Sequence, residues 1–489
     1  MTAKFENNNL IVLNPLSGDK VDTLTVSDEK YINDSILNAK IDSSWPSLSV
    51  SKRISYINKF RKELLKNKKE IASTIKNETG KIDFDITVEI LTSLEHLKQI
   101  ASIAKKALKI QRRNAGLMKT KKAYVKYEPL GVAGVIAPWN YPLATPLTSS
   151  AEALIAGNNV LLKPSEHTPL TSKLLKKIWD NTIEYKNAFQ IIIGGADVGG
   201  SIVKNNNIDI ICFTGSTSVG RIIAKQCAET LKPCILELGG KDPMIILNDA
   251  NIHRAVESAI FGGMSNAGQT CISTEEVFVE DGIYNDFVEK ISNRIKSIKS
   301  GSTGDYGSMI VAQNADKVKR HIEDASKNSK IIYGESDEKD MFLPPALVFE
   351  PWEDSFIVNE ETFGPVLSIR KFSNEEDLIE KIHKTGFGLS SSIFGKNKKR
   401  MNEIIKKLKT GTVSINDVMT HYGISSIPFG GEGVSGIGRL HGKEGLRAFS
   451  RTKSIVVNRF NFLNEIWWFG RSEKINTLLN KVMNLIFRY

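Results

Sequence analysis

A thiol, a carboxylate and an amide stand at three separated points of the chain, each in a setting that could serve attack on a carbonyl group. Cys271 ends the run Gly268-Gln269-Thr270-Cys271, after a helical stretch from His253 to Ser265 and at the start of an extended segment. A free thiol titrates at about pH 8.5, so a nucleophilic role requires a cationic or dipolar neighbour that favours the thiolate. Core filling is the other use of a small-flanked cysteine, and it is the reading given to Cys212, Cys227 and Cys234. Glu237 lies between leucines in Leu236-Glu237-Leu238-Gly239-Gly240-Lys241. Burial there would raise its pKa toward the range of a general base; a surface glutamate paired with Lys241 is the alternative. Asn140, in Pro138-Trp139-Asn140-Tyr141-Pro142, sits in a rigid loop able to aim N–H donors into a dry site, as an oxyanion hole requires. It also fits a plain proline turn.

Two glycine-rich stretches compete as anion sites. Phe213-Thr214-Gly215-Ser216-Thr217-Ser218-Val219-Gly220 follows an apolar strand, Ile208 to Phe213, and precedes a helix beginning near Arg221. Free backbone N–H groups and the helix dipole would both point at that turn. Walker A is excluded, because Arg221 and Ile222 stand where Lys and Ser/Thr are needed. Gly431, Gly433 and Gly436 satisfy G-x-G-x-x-G, yet they follow Pro428-Phe429-Gly430 and not a strand. Val456 and Val457 occupy the place about 20 residues on that calls for an acid. A glycine-rich loop near an active site is the better reading.

These residues need a scaffold, and the pattern of apolar residues supplies one. Strands are predicted at Gly131 to Ala137, Val160 to Leu162, Phe189 to Ile193, Ile208 to Phe213 and Ile235 to Leu236, with helices such as Leu170 to Trp179 between them. This alternation indicates βαβ units and a parallel sheet. A second alternating block runs from Met244 to about Val413, with strands near Met244 to Leu247, Val277 to Val279, Val366 to Phe372 and Ser391 to Phe394. Before them, Asp28 to Lys109 has the spacing of amphipathic helices. Ala123, Val125 and Tyr127 alternate with polar residues, as in an edge strand that a partner subunit could cover. Gly334 to Asp340 is the longest polar stretch and reads as a surface loop.

The 489 residues, 41% hydrophobic, suit about three domains at the usual domain size. Lys and Arg number 66 against 55 Asp and Glu, a formal charge of +11. Basic clusters at 105–113, 119–122 and 396–400 lack interleaved aromatics, so they read as solvated faces and not as a nucleic-acid site. The four cysteines show no CxxC pair and no zinc spacing, which points to free thiols in a reducing compartment and to no metal. Without a signal-peptide run or a membrane-spanning stretch, the expected location is cytoplasmic.

Taken together, PWNYP at 138–142, KPSE at 163–166, FTGST at 213–217, ELGGK at 237–241, GQTC at 268–271, EETFGPV at 360–366 and PFGG with SGxGR at 428–439 resemble the NAD(P)-dependent aldehyde dehydrogenase superfamily, in order and in spacing. The resemblance covers about residues 10 to 460. It implies an α/β fold with a Rossmann-like cofactor domain (1–117 and 129–237), an α/β catalytic domain (238–449) and oligomerisation strands (118–128 and 450–460). Beyond these lies a C-terminal amphipathic helical extension (461–489).

The resemblance further implies oxidation of an aldehyde to a carboxylic acid, with water as second substrate. Cys271 is the implied nucleophile, Asn140 and the Cys271 N–H the oxyanion donors, and Glu237 the base that activates water. Cofactor contacts are implied for Trp139, for Lys163 and Glu166 at the adenosine ribose, for Gly215, Ser216 and Gly220 at the pyrophosphate turn, and for Glu361 and Phe363 at the nicotinamide. The Glu166 carboxylate would repel a 2′-phosphate, so NAD is favoured, with NADP admissible if that side chain rotates. A homodimer or homotetramer is implied.

A CoA-acylating relative shares the nucleophile but needs no water-activating carboxylate, so Glu237 argues against it. A binding or structural role is opposed by the presence of Cys271, Glu237 and Asn140 together. Two departures stand out. Glu275 and Glu276 precede Val277 where many members carry an arginine nearby, which bears on local surface charge. Leu440 follows Arg439 where relatives often have an acid, which predicts a more apolar funnel, suited to medium or long-chain aldehydes over semialdehydes.

At the C-terminus, Ile475, Leu478, Leu479, Val482, Met483, Ile486 and Phe487 recur at the spacing of a helix with one apolar face. Upstream stand Phe460, Phe462, Trp467, Trp468 and Phe469. Such a helix packs on its own or a neighbouring subunit, or lies in a membrane interface as a peripheral contact.

Overall fold

The computed structural model describes every residue except 1, 338, 339, 461, 462, 466, 471 and 489. Phe462 and part of the polar stretch Gly334 to Asp340 therefore lie outside the described residues. The chain forms two compact units, 1–108 with 128–451, and 109–127 with 452–489.

Two sheets build the first unit. In the six-stranded one the order is Gly436–Ile437, Cys234–Glu237, Ile210–Thr214, Val132–Ile136, Asn159–Lys163 and Phe189–Ile191. All neighbours are parallel save the first pair. Val132–Ile136 and Asn159–Lys163 are buried at every position, as strands covered by helices on both faces must be. That explains their unbroken apolar runs. After Val132–Ile136 the chain adds two strands on one side and then returns to add Ile210–Thr214 on the other. The sheet therefore has a switch point between those two strands, and a crevice opens at their carboxyl ends.

The seven-stranded sheet has the order Lys330–Tyr333, Ala346–Phe349, Val366–Phe372, Thr274–Glu280, Asp242–Ile246, Ser390–Phe394 and Thr412–Ile415. Its core is continuous, from Met244 and Ile246 through Val277 and Val279 to Leu347 and Ile369, all fully buried. The chain passes from one sheet to the other through Leu238-Gly239-Gly240-Lys241, directly after Glu237. A three-stranded antiparallel sheet (Ala3–Glu6, Asn9–Leu13, Lys20–Thr25) precedes the helices and was not anticipated. Its first hairpin turns on Asn7 and Asn8, both at positive φ (46° and 62°), the geometry that asparagine tolerates in a two-residue loop.

The second unit holds a three-stranded sheet in which Lys121–Pro129 is the middle strand, between Ser450–Asn458 and Gln111–Arg113. The expectation of an edge strand at Ala123 to Tyr127 is thus corrected. Alternation reports one polar face, and a central strand in a small sheet shows it equally. The tail forms the helix Glu473–Ile486, and not one of its residues is buried. It is not buried within its own unit, which leaves packing on a neighbouring subunit and contact with a membrane interface as the readings.

Candidate active site

The carboxyl ends of the six-stranded sheet and the amino ends of the seven-stranded sheet meet at a cavity of about 550 Å³. Cys271, Glu237 and Asn140 all line it, as do Trp139, Gly215, Ser216, Glu361 and Phe363. Lys163, Glu166 and Gly220 do not. Lys163 Nζ lies 3.5 Å from Glu166 at the end of the strand beside the switch point, so the pair stands outside the cavity lining. The helix expected near Arg221 begins at Thr217, which moves Gly220 from the turn into the first helical turn. There its missing Cβ makes room for the Leu238 side chain.

Cys271 is aimed by an unusual turn. Asn266, Ala267 and Gly268 all have positive φ (54°, 56° and 68°), a conformation costly for the two non-glycine residues. Gln269, fully buried, holds the turn: its amide donates to Asn266 O (2.9 Å) and Ser308 O (3.2 Å), and its Oε1 accepts from Ile310 N (2.8 Å). Tyr141 Oη and Thr270 Oγ1 bond at 2.8 Å. Burial and the carboxylates of Asp242, Glu237 and Glu361 push the thiol well up. The Ile272 backbone N–H opposes that rise, so the neighbour expected for a nucleophile is a dipolar one and not a cation among the described residues. Ionisation of this thiol therefore calls for a nearby proton acceptor.

Asn140 Nδ2 donates to Gln269 O at 3.0 Å, which leaves its second amide hydrogen for the cavity. Glu237 ends its strand 3% exposed, with neither carboxylate oxygen hydrogen-bonded among the described residues. Burial drives its pKa far up, Arg439 opposes and Glu152 adds to the rise. The exposed ion pair with Lys241 does not exist. Lys241 instead meets Glu275 at 2.9 Å, both buried.

That pair corrects a second expectation. Glu275 and Glu276 are 3% and 2% exposed and contribute nothing to surface charge. Glu275 accepts from Thr362 N (2.8 Å) and Phe363 N (2.8 Å), while Lys241 Nζ donates to Glu360 O (2.9 Å). The two residues clamp the loop that carries Glu361 and Phe363, itself strained at Phe363 (φ 55°). Glu361 accepts from Gly240 N at 3.0 Å, and burial with the nearby Glu275 raises its pKa to about 7. Glu275→Gln should strand Lys241 as a buried unpaired charge, at a cost of about 3–5 kcal/mol. Chemical denaturation checks this, and a change under about 1 kcal/mol would show the clamp is dispensable.

A second group escaped the sequence reading. His441 lines the cavity, and His96 and Glu152 lie behind it, with His96 Nε2 3.3 Å from Glu152. All three are buried; desolvation lowers both imidazoles to about 3 and lifts Glu152 to about 7. Only long-range packing unites residues so far apart in sequence. For Glu275 a signal did exist, since an acid inside a strand buried on both faces demands a buried cation.

The arrangement fits a dinucleotide. The helix Thr217–Glu229 begins at Ser216 beside the switch point, where its N–H groups suit a diphosphate. Gly215 has no room for a side chain beside the Phe213 ring. Glu361, Phe363 and Trp139 gather near the thiol, the last two edge to face at 5.6 Å.

The chain matches the aldehyde dehydrogenase family over residues 3–455. It is 30% identical over 453 residues to a putative succinate-semialdehyde dehydrogenase [NADP(+)] 2 of Mycobacterium ulcerans, covering 91% of this chain and 87% of that one. It is 31% identical over 469 residues to a 4,4'-diapolycopene aldehyde oxidase of Methylomonas sp, covering 95% and 88%. Among solved structures, betaine aldehyde dehydrogenase from Staphylococcus aureus in complex with NAD+ aligns with a TM-score of 0.88 at 28% identity, over 94% of each chain. An aldehyde dehydrogenase from Brucella melitensis biovar abortus 2308 aligns at 0.87 and 31%, over 93% and 94%. With thiol, carboxylate and amide converging on one cavity and the match running nearly end to end, this chain belongs to the aldehyde dehydrogenase family.

Proposed function

We propose that the protein oxidises apolar aldehydes of medium or long chain to carboxylic acids with NAD. The convergence of Cys271, Glu237 and Asn140 on one cavity carries the reading. The Cys271 sulfur, having lost its proton, attacks the aldehyde carbon, and the second Asn140 amide hydrogen with the Cys271 N–H holds the oxyanion. NAD+, when bound beside Gly215, Ser216, Glu361 and Phe363, supplies the acceptor for the hydride that leaves that carbon. The resulting thioester is opened by water as Glu237 takes a proton from it; the C–S bond breaks and the acid departs. A carboxylate at Glu166 supports NAD over NADP, and Lys163 beside it would hold the same ribose.

The cavity wall supports the substrate class. Phe261, Ile272, Leu389, Met419, Phe429 and Leu440 line it, no arginine does, and Lys317 is its one lysine among the described residues. Lys317 lowers the Glu361 pKa, so it sits on the cofactor side. An ω-carboxylate would find no cation at the apolar end and would remain unpaired there. On a panel of aldehydes, kcat/KM should therefore rise with alkyl length and fall by about a hundredfold when an ω-carboxylate is added, about 3 kcal/mol of lost transition-state binding. A preference for the carboxylated member would reverse the assignment.

The domain division at Glu237, between the two sheets, accords with a cofactor half and a catalytic half. The strand Ser450–Asn458 stands at an edge of its three-stranded sheet, a position that supports assembly as a homodimer or homotetramer. The exposed helix Glu473–Ile486 supports peripheral contact with a membrane surface. No described helix is long and apolar enough to cross a membrane.

A further inference from the structure

The charge of this protein is not spread over it. Residues 109–127 and 452–489 together carry thirteen Lys and Arg against two Glu, which is +11, and the whole chain is +11. The first unit, with every catalytic group, therefore has a formal charge of zero. Within the second unit the cations converge. Arg112, Arg113, Lys119, Lys121, Lys122 and Arg459 line a cavity of about 420 Å³ that no carboxylate lines. Lys121 is the one cation of the six with a carboxylate partner, Glu465, among the described residues. Like charges held this close repel one another, and a bound anion relieves the repulsion.

The apolar surface of the same unit borders the cavity. Lys121 Nζ lies 5.8 Å from the centre of the Trp467 ring. Trp468 is 52% exposed and Phe469 fully so. In the helix Glu473–Ile486, Leu478, Leu479, Val482, Met483 and Ile486 share one face and are all exposed. Lys474 and Lys481 recur at seven-residue spacing along its flank, and Arg488 follows its end. Aromatic rings at headgroup depth, an apolar helix face and flanking cations are what an interfacial helix uses.

We propose that the second unit docks on bilayers rich in anionic phospholipid, with a headgroup phosphate seated among Arg112, Arg113 and Lys122 while the terminal helix lays its apolar face in the interfacial layer. This rests on the membrane contact proposed above and names its partner. Aldehydes long enough to fill an apolar cavity partition into membranes, so docking would bring the enzyme to the layer that holds its substrate.

Flotation of the full chain with vesicles tests it, using phosphatidylcholine alone and phosphatidylcholine with about one part in three phosphatidylglycerol. The full chain should float with the anionic vesicles at least about tenfold better than with neutral ones, and the preference should fade as salt is raised. The triple variant R112E, R113E and K122E should lose the anionic preference while still forming NADH, which shows that it is folded. A chain ending at Asn458 should float with neither.

Equal flotation on both lipids, unchanged by charge reversal, overturns the headgroup site and leaves the membrane contact standing. Absence from both vesicle fractions overturns both. Light scattering that finds the full chain in a larger assembly, reduced by truncation and indifferent to lipid, would assign the helix to a second copy instead.

Discussion

The Cys271→Ser variant should lose aldehyde oxidation by roughly a thousandfold or more while still binding NAD. A hydroxyl is far harder to ionise than a thiol, and this site resists anions: burial and the carboxylates of Asp242, Glu237 and Glu361 all press the Cys271 proton to stay. An alkoxide there would meet the same opposition from a much higher starting point. Cofactor affinity should survive, because the helix start at Ser216 and the clamped loop at 361–363 do not depend on the sulfur. NADH formation followed at 340 nm, with NAD binding by titration, measures both. Turnover within about tenfold of the unaltered chain would remove Cys271 from the chemistry.

For Glu237→Gln the expectation is a change of shape in the progress curve. The first hydride transfer should proceed and give a burst near one NADH per site, and the steady rate should then fall by about a hundredfold or more, because the thioester has lost its base. Acid quench should recover acyl groups on Cys271. The pH dependence carries the sign of the buried carboxylate. Its pKa is raised by desolvation, and only the deprotonated form accepts a proton from water. The steady rate of the unaltered chain should therefore climb as pH rises through that elevated pKa and fall away below it, and the Gln variant should lack this rise. If burst and steady rate fall together and no acyl group is trapped, Glu237 serves another step.

What could be read beforehand was what depends on local pattern. The strand Val366–Phe372 was placed at its observed ends, and Val132–Ile136 announced itself by an unbroken apolar run, since a strand covered on both faces has no polar side to show. Cys271, Glu237 and Asn140, which the fold brings to one cavity, could be singled out because each sits in a short stretch of unusual composition at a strand end or a turn.

What escaped was set by neighbours remote in sequence. Nothing in Thr274–Glu280 names Lys241 as the partner of Glu275, so two buried acids passed for surface charge. The middle strand Lys121–Pro129 passed for an edge because its second neighbour arrives more than three hundred residues later. The N-terminal hairpin left a mark in Asn7-Asn8 that went unread.

Gly268 limits the freedom of this protein to vary. A Cβ there would run into the carbonyl of Gly364 and come within 2.9 Å of Pro365 N. The turn that presents the thiol and the loop that ends at the cofactor clamp are therefore seated backbone against backbone, with no side chain between them to yield. The turn before Cys271 and the loop that carries Glu361 and Phe363 form one machined joint: neither can be shimmed without moving the other. The cavity wall at Phe261, Met419 and Leu440 stands outside that joint, so substitution there can reshape the cavity and leave the turn before Cys271 in place.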